Sequence, residues 1–340
     1  MGKSHFGAEA EADGYEISQR RHRNGPTLGS LSDDGFFRSS DRLETTTSEA
    51  DVNVSAQMRG RTVLITGASS GLGYEAALKL AGLGANVVMV ARDARRGEAA
   101  LAAVTGVART ASVSLLLCDM ASLAAVCTLA KDVAAHHDRL DVLVNNAGSV
   151  KMARETTPDG LEWTFAANYL GHFLLTNLLL DLLRRSAPAR IVNVSSVGHR
   201  QGSIDFDNLQ FEHGGYRIMS AYGRSKLAQI LFTRELARRL QGSGVTVNAL
   251  HPGTVATGIW TKETLPWYAR APIALAKRLF MTTPSEGADR ILFLATSPNV
   301  EGATGGYYEK DRLVQPSPAA RDEALGVRLW NESMRLAGLA

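Results

Sequence analysis

Cysteine is nearly absent. Cys118 and Cys127 are the only two in 340 residues, and they do not make a C-x-x-C pair. That excludes a disulfide scaffold and a cysteine-rich zinc site. The expectation is a reduced cytoplasmic protein with two buried thiols and no metal. Long apolar runs are missing too. Stretches such as Val87–Ala91 and Phe173–Leu175 fall far short of the roughly 18 residues a membrane span needs, so none is expected. The opening Met-Gly-Lys-Ser-His-Phe has acids soon after it and no apolar core, unlike a secretory signal. Nowhere do aromatics interleave with a Lys/Arg cluster, which argues against a nucleic-acid partner. With 45% hydrophobic and 21% charged residues, the composition excludes collagen-like and wholly disordered chains and allows a large core.

Charge is unevenly spread. Residues 1–58 carry six basic and ten acidic side chains, a net of −4, so the rest of the chain carries +7 against a total of +3. This first segment is rich in Ser, Thr, Asp, Glu and Gly and has no sustained period. It reads as a disordered polar tail, leaving residues 59–340 as the folded domain. A basic folded part suits a phosphorylated small ligand.

From Arg61 onward, apolar strands alternate with helical patterns. Thr62–Thr66, Asn86–Ala91, Ser112–Cys118, Asp141–Asn145, Arg190–Ser195 and Val245–Leu250 read as short buried strands. Gly71–Leu83, Ala94–Val104, Leu123–His136, Leu161–Arg185 and Ser220–Gln241 read as the helices between them. Strands without polar alternation, each followed by a helix, predict βαβ units: an α/β fold with one doubly wound parallel sheet, helices on both faces. Gly305–Glu309 is a candidate last strand. Asp322–Leu336 is a terminal helix with Leu325, Leu329 and Trp330 facing inward.

The first strand runs into Thr66-Gly67-Ala68-Ser69-Ser70-Gly71-Leu72-Gly73, and a helix follows. Glycines let the backbone turn tightly and approach a pyrophosphate, whose charge meets the helix N-terminus. A bare tight turn is the plain alternative; the position after the first strand of a βαβ unit favours the dinucleotide reading. The same residues match G-x-S-x-G, a hydrolase nucleophile elbow with Ser69 as nucleophile. That elbow normally follows several strands, and it leaves Gly73 without a purpose. Strand two ends in Arg92. An acid near this point suits the ribose hydroxyl of NAD, whereas an arginine suits a 2′-phosphate. Asp93, one residue on, should point elsewhere, so NADP(H) is favoured over NAD(H).

Tyr222 and Lys226 are four residues apart at the start of a helical segment, hence on one face. A free phenol has a pKa near 10, and an ammonium beside it stabilises the phenolate. Such a pair suits proton transfer coupled to hydride transfer. Alone, Y-x-x-x-K is common on helix surfaces; the glycine loop upstream is what gives it weight.

These residues, with Asn145-Asn146-Ala147-Gly148, Asn168-Tyr169-Leu170-Gly171-His172-Phe173, Asn193-Val194-Ser195-Ser196 and His251-Pro252-Gly253-Thr254-Val255, make six motifs in order. In them the chain from about Arg61 onward resembles the short-chain dehydrogenase/reductase family, in its retinol-dehydrogenase-like branch. The resemblance implies a Rossmann-like sheet in the order 3-2-1-4-5-6-7. It implies Tyr222 as the acid or base, Lys226 as the cation that lowers its pKa and bonds the nicotinamide ribose, and Ser196 rather than Ser195 as the group that polarises the carbonyl. Asn168 would hold a water linking Lys226 to solvent. Asp119 would meet the adenine amine, with Met120 beside it; Asp119 could instead cap the next helix. Gly67, Ser69, Ser70, Gly71, Leu72 and Gly73 would cradle the pyrophosphate, with Arg92 at the ribose. Asn146, Ala147 and Gly148 would line the cofactor channel, and Pro252, Gly253 and Val255 the nicotinamide amide. Asn145 reads as a brace for the sheet, and His172 and His251 read as structural.

Ser196 and Tyr222 are 26 residues apart, about twice the family's common spacing. The longer spacing, through Gly198–Tyr216, looks like the retinol-dehydrogenase branch and leaves the rim of the site unspecified. Several relatives there carry an N-terminal membrane anchor; this chain has a polar stretch instead, so membrane residence is not carried over. Residues Ile259–Thr283, with Trp260, Trp267 and Phe280, read as an apolar lid, a piece of core or a dimer surface. A lid suggests a lipophilic alcohol or carbonyl as substrate; a dimer surface fits a homodimer or homotetramer. A cofactor-binding sensor without chemistry is the second functional class, disfavoured because it needs no Ser196, Tyr222 or Lys226.

Overall fold

The computed structural model describes residues 58–108, 111–253 and 282–340. Residues 1–57 of the expected tail, Val255, and residues 259–281 of the apolar segment lie outside them.

The strands are β1 (Thr62–Thr66), β2 (Asn86–Ala91), β3 (Val113–Leu117), β4 (Val142–Asn145), β5 (Ala189–Val194), β6 (Val245–His251), β7 (Tyr307–Glu309) and β8 (Arg312–Leu313). Among the described residues they form one sheet in the order β3-β2-β1-β4-β5-β6-β7-β8. The first seven pair in parallel, as expected. The eighth is an addition. Lys310 and Asp311, at φ +49° and +61°, turn the chain back so that β8 pairs antiparallel to β7. Two consecutive left-handed residues are the geometry of a two-residue hairpin.

The helices are α1 (Gly71–Gly82), α2 (Ala94–Val107), α3 (Leu123–His136), α4 (Trp163–Phe165), α5 (Gly171–Leu178), α6 (Leu180–Arg185), α7 (Ile218–Arg239), α8 (Pro284–Thr296), α9 (Pro318–Arg321) and α10 (Glu323–Leu336). Side chains alternate across a strand, so neighbouring apolar residues feed two different cores. Leu64, Val88 and Leu143 join α3, α5, α7 and α10 on one side. Val63, Val87 and Val142 join α1, α2 and α8 on the other. Both faces are covered, which is why these strands lack polar alternation. Caps set the helix starts. The Asp93 side chain accepts from the Arg96 N–H, Ser122 from Ala125 and Asp322 from Leu325, and Thr283 with Glu286 forms a reciprocal capping box. Leu329 and Trp330 of α10 are buried and Leu325 is half-buried.

The expected single helix over Leu161–Arg185 is broken. Glu162 caps α4 by accepting from Thr164 and Phe165, Ala166–Leu170 is a π-helical stretch, and Leu179 separates α5 from α6. A Cβ on Gly171 would collide with the Met120 carbonyl, so the chain passes this point only as glycine.

β4 begins one residue later than expected, and the Asp141 side chain just before it ties the strand's entry to β1. Its carboxylate accepts from Arg61 Nη1 at 2.7 Å, Arg139 Nε at 2.8 Å and the Thr62 N–H at 2.8 Å, pinning the entry to β1 against β4. These bonds outweigh burial and hold its carboxyl below the usual value. Asp141→Ala should cost about 2–3 kcal/mol in urea unfolding, since both arginines lose their counter-charge but remain partly hydrated. A carboxyl with a lowered pKa stabilises above the usual carboxylate range and loses that contribution as acid protonates it. The deficit should therefore be full at neutral pH and shrink in acid.

Candidate active site

A cavity of about 1000 Å³ runs along the ends of β1, β2, β5 and β6. It spans the switch point between β1 and β4, where an open α/β sheet leaves its crevice.

Thr66 closes β1 at one wall. Its hydroxyl accepts from the N–H groups of Asn146 and Ala147, at 2.9 and 3.0 Å, and meets His172 Nε2 at 2.9 Å. Asn146 Nδ2 returns a bond to the Thr66 carbonyl at 2.7 Å. Gly67 has φ +68°, and a Cβ there would lie 2.9 Å from Ala147 Cα. Gly67, Ser69, Ser70, Gly71 and Leu72 line the cavity. Gly73 does not: it packs behind the loop, where a Cβ would strike the Gly67 carbonyl and sit 2.5 Å from Asn146 Nδ2. Its role is close packing, not ligand contact. Ser70 is the N-cap of α1 but its side chain makes no capping bond, so first-turn N–H groups stay available to an anion. The loop therefore fits a dinucleotide's pyrophosphate. Ser69 has no histidine or acid partner among the described hydrogen bonds.

Arg92 lies exposed at the end of β2, its guanidinium carbon 5.9 Å from the Trp163 ring centroid. Asp93 is taken up as the cap of α2: it accepts from the Arg96 N–H at 2.8 Å, and Arg96 Nε stands 3.6 Å from the same oxygen. Those contacts hold its carboxyl below the usual value. Arg96 also lines the cavity. This end of the cavity thus presents two guanidinium groups and one neutralised acid. Asp119 and Met120 line it as well, with Cys118, whose thiol burial pushes up to about 12. Asp119 Oδ1 accepts from the Ala121 N–H at 3.0 Å, while Ser122, not Asp119, caps α3.

The opposite wall comes from β5 and α7. Ser195 and Ser196 part company here. The Ser195 hydroxyl donates to the Lys226 carbonyl at 2.9 Å, whereas Ser196 Oγ accepts from the Gly198 N–H at 3.1 Å and stands beside the Tyr222 phenol. His199 is buried; its Nδ1 donates to the Ser196 carbonyl at 2.7 Å and its Nε2 accepts from the Ser317 N–H at 3.1 Å, which fixes the loop after Ser196. Lys226 is 4% exposed, with Nζ 5.7 Å from the Tyr222 ring centroid and 2.8 Å from the Val194 carbonyl. Ser196, Tyr222, Lys226 and Gly148 share this wall.

Two expectations change. Lys226 does not pull the phenol down in the protein by itself. Burial pushes Tyr222 up, with only the Ser196 hydroxyl opposing, and burial also takes Lys226 down to about 7, weakening the cation. Nor does the Asn168 side chain face the cavity. Its Oδ1 accepts from the Ser149 N–H at 2.8 Å and its Nδ2 donates to Ser225 Oγ at 3.2 Å. What reaches Lys226 is Gln229, whose Oε1 accepts from Nζ at 3.2 Å and whose Nε2 donates to the Asn168 carbonyl at 2.7 Å.

Asn145 braces the sheet through Thr176 and Asn193. Ala147, Pro252 and Gly253 line the cavity, and His251 takes the Val197 N–H on Nδ1. The rim that the sequence left unspecified is supplied by Val197, Gly198, Arg200 and Gln201 of the long segment after Ser196. Arg224 clamps it to α7 by donating to the carbonyls of Ser203, Asn208 and Leu209, and Tyr216 donates to the Lys151 carbonyl. Trp163, Arg96, Met219 and Gln229 escaped sequence reasoning. Met219 and Gln229 lie three residues from Tyr222 and Lys226 on α7, a spacing that would have flagged them. Trp163 carries no such signal.

Comparison with known proteins agrees with this geometry. A family model described as short chain dehydrogenase matches residues 61–266. Retinol dehydrogenase 13 of Mus musculus is 44% identical over 287 residues, covering 84% of this chain and 86% of that protein. Retinol dehydrogenase 14 of Homo sapiens is 44% identical over 295 residues, covering 83% and 88%. A solved structure of an uncharacterized protein from Mycobacterium Paratuberculosis superposes with a TM-score of 0.67 at 33% identity, covering 84% and 97%. The Pseudomonas aeruginosa RhlG/NADP active-site complex superposes with a TM-score of 0.58 at 30% identity, covering 74% and 94%. The chain belongs to the short-chain dehydrogenase family, whose members are oxidoreductases that act on CH–OH groups with NAD(P).

Gly73→Ala tests the loop. The added methyl meets backbone on one side and a committed amide on the other, so relief must move the loop. Overpacking of this kind costs about 1–3 kcal/mol. The variant should melt lower and bind NAD(P)H at least about ten-fold more weakly in a fluorescence titration.

Proposed function

We propose that this protein interconverts a lipophilic alcohol and its aldehyde or ketone, using NADP(H) in preference to NAD(H). The observation that carries the reading is that Ser196, Tyr222 and Lys226 line the same cavity as the uncapped start of α1 and the Arg92–Arg96 pair. The dinucleotide, when bound, supplies or accepts the hydride. The chain's own residues do the rest. The Ser196 hydroxyl orients the substrate oxygen. Tyr222 passes its phenolic proton to that oxygen in reduction and takes it back in oxidation. Lys226 opposes the cost of the phenolate left behind. An anionic cofactor alongside favours the charged form of Lys226 that burial alone disfavours.

The NADP(H) preference rests on Arg92 and Arg96, which among the described residues have no acid partner but Asp93, itself occupied as a helix cap. A guanidinium is well matched to a phosphate. The NADP complex among the structural neighbours lends support. The lipophilic substrate rests on two grounds: relatives named for retinol, and Val197 and Met219, apolar side chains that line the cavity while still 44% and 39% exposed.

The test is a panel of aldehydes and ketones followed by loss of NADPH absorbance. Turnover is expected with apolar substrates; tight NADPH binding without turnover on any of them would turn the reading toward a sensor. Tyr222→Phe should bind NADPH normally and lose about 10²–10⁴-fold in kcat; a near-normal rate refutes the role of the phenol. Arg92→Asp should weaken NADPH relative to NADH by about 1–3 kcal/mol. An unchanged ratio of the two KM values would move phosphate recognition elsewhere.

A further inference from the structure

The buried side of Lys226 carries a chain of contacts that the reaction as described does not use. Nζ donates to the Val194 carbonyl and to Gln229 Oε1; Gln229 Nε2 donates to the Asn168 carbonyl. That carbonyl lies in the π-helical stretch and also accepts from His172 Nδ1 at 3.0 Å, and His172 Nε2 meets the Thr66 hydroxyl at the head of the glycine loop. Gln229, Asn168, His172 and Thr66 are all at most 1% exposed. Every link is a direct bond between side chains or from a side chain to a carbonyl.

We propose that Gln229 is a positioning residue for Lys226: its amide fixes the ammonium between two acceptors and sustains its charge inside the protein. The proposal rests on the reading above, in which Lys226 is the cation of the site. An ammonium has three N–H bonds. Two are held by Val194 and Gln229, which leaves one for the cavity that Lys226 lines. A neutral amide accepts at oxygen and donates at nitrogen but does not pass a proton along. Gln229 therefore holds Lys226 and does not drain it, and the proton taken up or lost by Tyr222 exchanges through the cavity.

The titratable groups coupled to Lys226 are Tyr222 on its own helix and His172 on α5. Burial lowers His172 to about 4, outside the working range. Lys226 itself is lowered to about 7 from an ordinary 10.5. A buried lysine with a lowered pKa costs stability where it is charged, and that cost lifts as pH rises from about 7 toward its unfolded value. Removing the acceptor enlarges the cost only where the charge is present.

Urea unfolding of the whole chain should be compared for wild type, Gln229→Met and Gln229→Glu at about pH 6 and about pH 9. Gln229→Met keeps the length and removes the bridge. Its loss of midpoint relative to wild type should be larger at the lower pH. Gln229→Glu gives the ammonium a counter-charge that keeps Lys226 charged, so the variant forgoes the stability wild type gains as its lysine deprotonates above about 7, and its loss should be larger at the higher pH. In carbonyl reduction, Gln229→Met should lose about ten-fold in kcat with KM for NADPH within about two-fold. Deficits that do not depend on pH, or that order the same way in both variants, overturn the proposal. If Gln229→Met does not fold, the order of the Gln229→Glu deficits decides it. Failure of wild type to turn over any carbonyl refutes the proposed function instead; the unfolding comparison needs no substrate and still judges Gln229.

Discussion

An ammonium taken out of water has to find acceptors or lose its proton. Much of this structure is arranged around that constraint at Lys226. The Val194 carbonyl reaches it because β5 ends beside α7. Gln229 reaches it from the next turn of the same helix. Asn168 can anchor Gln229 because the helix across the sheet face changes to π-helical spacing, presenting a main-chain carbonyl to two side-chain donors. π-helical stretches inside α-helices occur often at functional sites. Here the consequence is concrete: a backbone oxygen is shared between the lysine's support and a histidine that leads back to the glycine loop.

Thr66 is where the two ends of the cavity meet mechanically. One hydroxyl receives the N–H groups of Asn146 and Ala147 and closes onto His172. The loop that fits a pyrophosphate and the helix that supports Lys226 are thereby held in one frame. Hydrogen bonds in such a buried network matter more for what breaks when one is missing than for their average worth. Histidines that look catalytic in a sequence are, in this setting, supports: His172 for Thr66, His199 for the loop after Ser196, and His251 for the Val197 N–H.

Charge divides the cavity by function. At the end of β2, Arg92 and Arg96 face it while Asp93 is spent on capping α2. At the wall formed by β5 and α7, Lys226 is an ammonium that burial takes down to about 7. The first arrangement offers guanidinium groups to an anion. The segment after Ser196, clamped by Arg224, adds a wall without disturbing either.

The strand order, the two covered faces and the position of the glycine loop were legible in the sequence. They depend on period, on glycine placement and on runs of Val, Ile and Leu, all of which are local properties. Ser196, Tyr222 and Lys226 were legible as residue types at recognised spacings. The hairpin to β8 was not, because Lys310 gives no signal of positive φ and Asp311 is not followed by the glycine that marks such a turn. The break in the helix over Leu161–Arg185 was not, because it reflects contact between Gly171 and a distant carbonyl. Nor could spacing distinguish Gly73, which packs, from Gly71, which faces the cavity, or reveal that Asn168 turns its side chain away. The acidity of Tyr222 is the sharpest case. Sequence brings a lysine one turn away, and Coulomb attraction then predicts a lower pKa. Only the folded chain decides how much water each group has lost, and here burial raises the phenol against the Ser196 hydrogen bond alone while lowering the lysine.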